Sequence, residues 1–162
     1  MYKTIGVLLL AFMAGTGVYL FTHTDPVSET IALSSIGFGN GHTVTMYKDP
    51  DCGCCTGHAQ ALKEEGFDVI IEETNDMESV KAEHNIPLFG ESCHTSVIDG
   101  YVVEGHVPLE AIEKLLAEKP DIAGIGLPSM PIGTPGMPGP KTAPYEIYQL
   151  TEAGEMSPYL TI

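Results

Sequence analysis

The sequence predicts an α/β domain, and three observations carry the prediction. Stretches of strand and helix character alternate in the order β-α-β-α-β-β-α, a hairpin turn follows the second βα unit, and a Cys-x-x-Cys stands at the first strand-to-helix junction. "HTVTMYKD" alternates apolar and polar residues as a short strand from Thr43. "CCTGHAQALKEEG" sets Cys55, Ala59 and Leu62 on one helical face and ends at Gly66, the residue type that closes helices in a left-handed turn. "FDVIIEE" alternates Phe67, Val69 and Ile71 with Asp68 and Glu72 as a second strand, and "DMESVKAEHN" spaces Met77, Val80 and His84 as a helix that Asn85 and Pro87 stop. "TSVIDGYVVEG" carries Asp99-Gly100, a tight hairpin dipeptide, between two β-rich arms. "PLEAIEKLLAEKP" opens at Pro108, places Leu109, Ile112, Leu115 and Leu116 on one face, and ends at Lys119-Pro120.

This order, with paired cysteines where the first helix begins, is that of a thioredoxin-like domain over residues 43–120. Past Pro120 the composition changes: "PDIAGIGLPSMPIGTPGMPGP" holds six Pro and five Gly, which predicts an extended, turn-rich arm over 121–162 that packs on the domain. "YEIYQL", residues 145–150, reads as a late edge strand within it. At the other end, one lysine, Lys3, precedes an uncharged run from Ile5 to Phe21, a signal peptide or membrane anchor over residues 1–22. Seventeen helical residues reach about 25 Å, within what a membrane accommodates, and Gly15-Thr16-Gly17 resembles a cleavage site. Residues 23–42, rich in Ser, Thr and Gly, read as a linker. Both readings send the domain to the periplasm or cell envelope, with any membrane contact confined to the N-terminal segment.

Seven lysines and no arginine stand against 22 acidic residues, a formal charge of -15. Such a chain is repelled by phosphate backbones and anionic lipid, which argues against nucleic acid as a partner, and it lacks the side chain best suited to a bidentate grip on phosphate. A cationic ligand suits it better.

The four cysteines, Cys52, Cys54, Cys55 and Cys93, admit three readings. Structural disulfides are the first, although Cys52–Cys55 is the only comfortable local pairing among adjacent residues. Thiol-disulfide exchange through Cys52 and Cys55 is the second: a helix N-terminus favours the thiolate, while Asp49 and Asp51 oppose it and Cys54 invites scrambling. The third is a soft-metal site, since several thiolates at short spacing bridge Cu(I) ions. His58, four residues past Cys54 and three past Cys55, shares their helical face, or is a solvated helix residue. Cys93-His94 lies in the loop that a thioredoxin-like layout packs against the first helix, and His106 ends the second hairpin arm. Met130 and Met137 ride on the Pro-rich arm, away from any expected core. Met46 and Met77 read as core, and His84 as a solvated residue.

The segments "DPDCGCC", "SCHTSVIDGYVVEGHVP", "EKPDIAGIGLPSMPIGTPGM" and "PYEIYQL" together resemble the CopG-type family of small exported copper-resistance proteins, over about residues 43–150. The resemblance implies a thioredoxin-like fold holding copper, in some members as a cysteine-bridged multinuclear cluster, with a role in handling copper or changing its oxidation state in the cell envelope. It implies as ligands Cys52, Cys54 or Cys55, Cys93, His94 and His106, with Met130 and Met137 joining from the arm. Copper ions, and with them other envelope copper-handling proteins, are the expected partners. Ser129 stands where the family usually has Gly, and Thr134 where Ser is common, changes that bear on the arm. Zinc is the weaker alternative, because adjacent cysteines and methionines favour Cu(I).

Overall fold

The structure, a computed structural model, describes residues 37–162. The expected signal or anchor and most of the linker lie outside the described residues; among those described, no helix is long and apolar enough to cross a membrane. Residues 37–42, the end of the expected linker, turn against the domain: Phe38 meets Phe67 edge-on at 5.2 Å between ring centroids, and the Gly39 N–H donates to the Glu65 carbonyl at 3.0 Å.

Among the described residues the fold is mixed α/β, with one seven-stranded sheet and three α-helices. In chain order the elements are β1 (Thr43–Lys48), α1 (Gly53–Glu64), β2 (Asp68–Glu73), α2 (Met77–Glu83), β3 (His94–Ile98), β4 (Tyr101–Glu104), α3 (Leu109–Glu118), β5 (Gly124–Gly126), β6 (Glu146–Leu150) and β7 (Met156–Thr161). The strands lie in the order β2-β1-β3-β4-β5-β6-β7. β1 is parallel to β2 and antiparallel to β3, β3 and β4 form a hairpin, and β4 is parallel to β5. Asp99 and Gly100 both take positive φ, 51° and 88°, as the tight hairpin requires. Gly66, at φ 94°, follows α1 as its sequence position suggests.

Alternation of side chains across the strands makes two unequal cores. On one face Val44, Met46, Ile98, Val103, Ile125 and Ile147 pack with Ala59 and Leu62 of α1 and with Ile112, Leu115 and Leu116 of α3. The other face has a small cluster, Ile86, Val102, Ala123 and Leu150, with Met156 against it. α2 lies on that thinner face, and its most buried residue is Lys81, an ammonium, and not the expected apolar positions Met77 and Val80.

The C-terminal third differs from the expectation of a turn-rich arm with one edge strand. Gly124–Gly126 continues the sheet as β5, where glycine is the adaptation: a Cβ on Gly124 would collide with the Val102 carbonyl across the ladder. β6 occupies the strand expected near "YEIYQL", but β7 pairs with it antiparallel and takes the edge. The turn-rich character is concentrated between β5 and β6.

Candidate metal centre

All four cysteines and three histidines collect at one end of the sheet, where β1 passes into α1 and the loop leading to β3 comes alongside. Cys52 is the N-cap residue of α1, with Cys54 and Cys55 in its first turn and His58 one turn on. Cys93 immediately precedes β3, His94 is its first residue, and His106 lies between β4 and α3. Cys52 and Cys55 are paired as a disulfide with Cα atoms 5.4 Å apart, leaving Cys54 and Cys93 as free thiols. Sulfur atoms crowd together: Cys52 and Cys54 are 3.5 Å apart, Cys54 and Cys93 3.8 Å, and Cys55 and Cys93 3.4 Å.

Beside the sulfurs, His58, His94 and His106 are all fully buried. Their ring centroids lie 4.8 to 5.5 Å apart. A carbonyl only accepts, so the nitrogen facing one carries the proton. His106 Nδ1–H therefore donates to the Pro135 carbonyl at 2.8 Å, and its Nε2 lone pair faces Cys93 Sγ at 3.0 Å. His58 Nε2–H donates to the Val107 carbonyl at 3.2 Å, leaving Nδ1 to accept from His94 Nε2–H at 2.7 Å. The remaining His94 nitrogen, Nδ1, then presents its lone pair to Cys93 Sγ at 3.4 Å. Cys93 is thus the atom where the two groups meet, and the donor atoms of each group lie within 4.8 Å of one another.

Burial decides the protonation of this centre. Desolvation, reinforced by the neighbouring His106, lowers His58 to about 3. His94 is held well below the usual histidine range, first by burial and then by its two histidine neighbours and Lys81; burial lowers His106 as well. Cys93 is pushed up to about 12, chiefly by burial and then by Cys54 beside it. At neutral pH the centre is a set of neutral imidazoles around a protonated thiol, poised to release protons when a cation takes their place.

Among the described residues two lysines, Lys48 and Lys81, are buried, and each braces a cysteine-bearing loop. Lys48 donates to the carbonyls of Asp49 and Pro50, at 3.0 and 3.2 Å, and pairs with Glu73 at 3.1 Å, fixing the approach to Cys52. Lys81 pairs with the buried Glu104, whose carboxylate also accepts from the Ser92 backbone N–H next to Cys93.

The arm closes the centre from the other side. Gly136, at φ 83°, lies against the first turns of α1, where a Cβ would collide with the Cys54 carbonyl and the His58 amide; a Cβ on Gly57 would stand 2.8 Å from Gly136 Cα. This contact delivers the Pro135 carbonyl to His106. Met130 is 48 % exposed and Met137 half-buried.

Of the sequence-derived candidates, Cys52, Cys54, Cys55, Cys93, His94 and His106 are brought together. His58 joins them as a buried group, not as a solvated helix residue; its signal in the sequence was the helical spacing from Cys54 and Cys55. Lys48, Lys81 and Glu104 had no such signal.

The family described as "Protein of unknown function, DUF411" matches residues 90–137, the stretch that holds Cys93, His94, His106 and the covering arm. Two solved structures are similar over nearly their whole length. "Copper resistance protein copG- Form 1" is 38 % identical, with a TM-score of 0.68, covering 74 % of this chain and 96 % of that one. "Copper resistance protein copG- Form 2" is also 38 % identical, with a TM-score of 0.69, covering 75 % and 98 %. No curated protein sequence matches the chain.

Proposed function

Because the chain belongs to the CopG copper-resistance family, we propose that it is a copper-binding protein of the cell envelope that contributes to copper resistance. The observation that carries this reading is the convergence of four sulfurs and three buried imidazoles, two adjoining groups in each of which the donor atoms lie within 4.8 Å of one another. Thiolates suit Cu(I), and neutral, uncharged imidazoles suit either oxidation state. The six cysteine and histidine donors of this reading exceed the four that one tetrahedral ion takes, which favours more than one ion bridged by cysteine sulfur. Cys52, Cys54, Cys55, Cys93, His94 and His106 are the ligands in this reading, the first and third after reduction of their disulfide; Met130 and Met137 are candidates from the arm. The mixed set also supports cycling between Cu(I) and Cu(II). The strand order β2-β1-β3-β4, with β3 antiparallel to its neighbours, supports the thioredoxin-like assignment of residues 43–120. The uncharged run near the N-terminus supports export by a signal or an anchor.

The Cys52–Cys55 disulfide at a helix N-terminus favours a second reading, an exported thiol-disulfide oxidoreductase. Against it, free thiols crowd the pair, Cys54 at 3.5 Å from Cys52 and Cys93 at 3.4 Å from Cys55, and would scramble a mixed disulfide. One variant separates the two. In the reduced protein, Cys54→Ser is expected to weaken Cu(I) binding, measured against a competing chelator, at least tenfold. A Cys54→Ser protein with unchanged Cu(I) affinity but active disulfide exchange would establish the second reading and end the first.

A further inference from the structure

Behind the Cys93–His94 dipeptide, on the sheet face that carries α2, lies a buried ion pair that supplies no donor to the metal centre. Glu104 is 1 % exposed and Lys81 4 %. Glu104 Oε1 accepts from the Ser92 backbone N–H at 2.6 Å and from the Lys81 ammonium. Its other oxygen accepts from the Thr95 hydroxyl at 2.6 Å, and Lys81 also reaches Thr95 Oγ1 at 3.3 Å. Ser92 and Thr95 are the residues immediately before Cys93 and immediately after His94.

We propose that Glu104 is a positioning residue of the metal centre: its carboxylate clamps both ends of the Cys93–His94 dipeptide and so sets where the Cys93 sulfur and the His94 ring stand. The inference rests on the copper-binding reading above. Burial of an ion pair is a weak device for stability, and apolar residues of similar volume would fill the space as well or better. A carboxylate here does what they could not, since it accepts three donors at once. Ser92 precedes β3 and its N–H has no partner in the sheet; its other fixed contact in this loop is the hydroxyl bond to the Ser129 carbonyl. Lys81 balances the charge from α2. The far side of the dipeptide is fixed in turn by the Gly105 N–H, which donates to the His94 carbonyl at 2.9 Å.

The test compares wild type, Glu104→Ala and the double variant Lys81→Met/Glu104→Gln. In the double variant the glutamine carbonyl can accept from Ser92 N–H and its amide can donate to Thr95, so the clamp survives without charge. Two quantities are read: Cu(I) affinity of the reduced protein against a chelator, and hydrogen exchange of the Ser92 amide in the metal-free protein. Glu104→Ala is expected to weaken Cu(I) binding about 10- to 100-fold, the usual cost of losing a partner that orients a ligand, and to speed exchange. The double variant is expected to recover both to within a few-fold of wild type. A folded Glu104→Ala protein that matches wild type in both readings overturns the proposal. So does a double variant as impaired as Glu104→Ala, which would assign the effect to charge. Should Glu104→Ala not fold, Thr95→Val removes one clamped end and is expected to move both quantities the same way by less; wild-type behaviour there overturns the proposal equally. Failure of wild type to hold Cu(I) would instead overturn the copper reading, with the clamp then judged by amide exchange.

Discussion

The sulfur group and the imidazole group touch, yet they are held on different terms. Cys52, Cys54 and Cys93 are partly open to solvent, and two of the four sulfurs are tied to each other in a disulfide. His58, His94 and His106 have no exposed surface, and each ring is oriented by a carbonyl or by another ring. The donor capacity of the first group therefore follows its oxidation state, whereas that of the second follows the positions of the backbone around it. Cys93 belongs to both.

Acid and alkali should break the two groups separately. The unfolded histidine takes up its proton near 6.5, while folded His58 resists to about 3, so stability is full above pH 6.5 and is lost as pH falls toward 3. His94 and His106 shift in the same direction. Denaturant titrations of the metal-free protein should lose on the order of 4 kcal/mol across that window from His58 alone. Folded Cys93 keeps its proton to about 12 where the unfolded thiol gives it up near 9, so stability should fall again as pH rises between those values. A profile flat from pH 7 to 4 would mean that the imidazoles are not sealed as described.

The next largest effect is expected at the shared atom. Cys93→Ser should reduce Cu(I) affinity by about 100-fold or more, roughly 3 kcal/mol, exceeding the loss from any single orienting partner. Retention of affinity within about tenfold would show that the two groups are separate sites.

How much of this was legible in the sequence depended on the kind of signal. The alternating strands and the helix carrying Leu109, Ile112, Leu115 and Leu116 declare themselves because one face of each is apolar and the period is regular. β5 is three residues, Gly-Ile-Gly, and its glycines, read as loop formers, serve instead to let two backbones approach. β7 contains Pro158, tolerable in an edge strand but a mark against any strand in a sequence. His94 and His106 were found through their place beside the hairpin. Lys81 and Glu104 resemble solvated charges until the sheet brings them together, since burial of an ion pair is a property of two distant segments.

The smallest effect expected is at His58, which orients His94 through its Nδ1. His58→Leu should lower Cu(I) affinity about tenfold while leaving the Cys52–Cys55 disulfide intact by thiol count. An effect as large as that of Cys93→Ser would promote His58 from orienting group to ligand.

The backbone contact between Gly57 and Gly136 joins segments distant in the chain, and an order of assembly is expected from that topology. Cys52 and Cys55 are three residues apart, and their bond closes a loop that needs none of the sheet. The Pro135 carbonyl reaches His106 only after the chain has passed through α3 and β5 and folded back onto α1, a contact of long sequence separation and therefore a slow one. A chain emerging N-terminus first thus offers its thiols to the surroundings before its imidazoles are in register, and any oxidant meets the sulfurs ahead of a finished site.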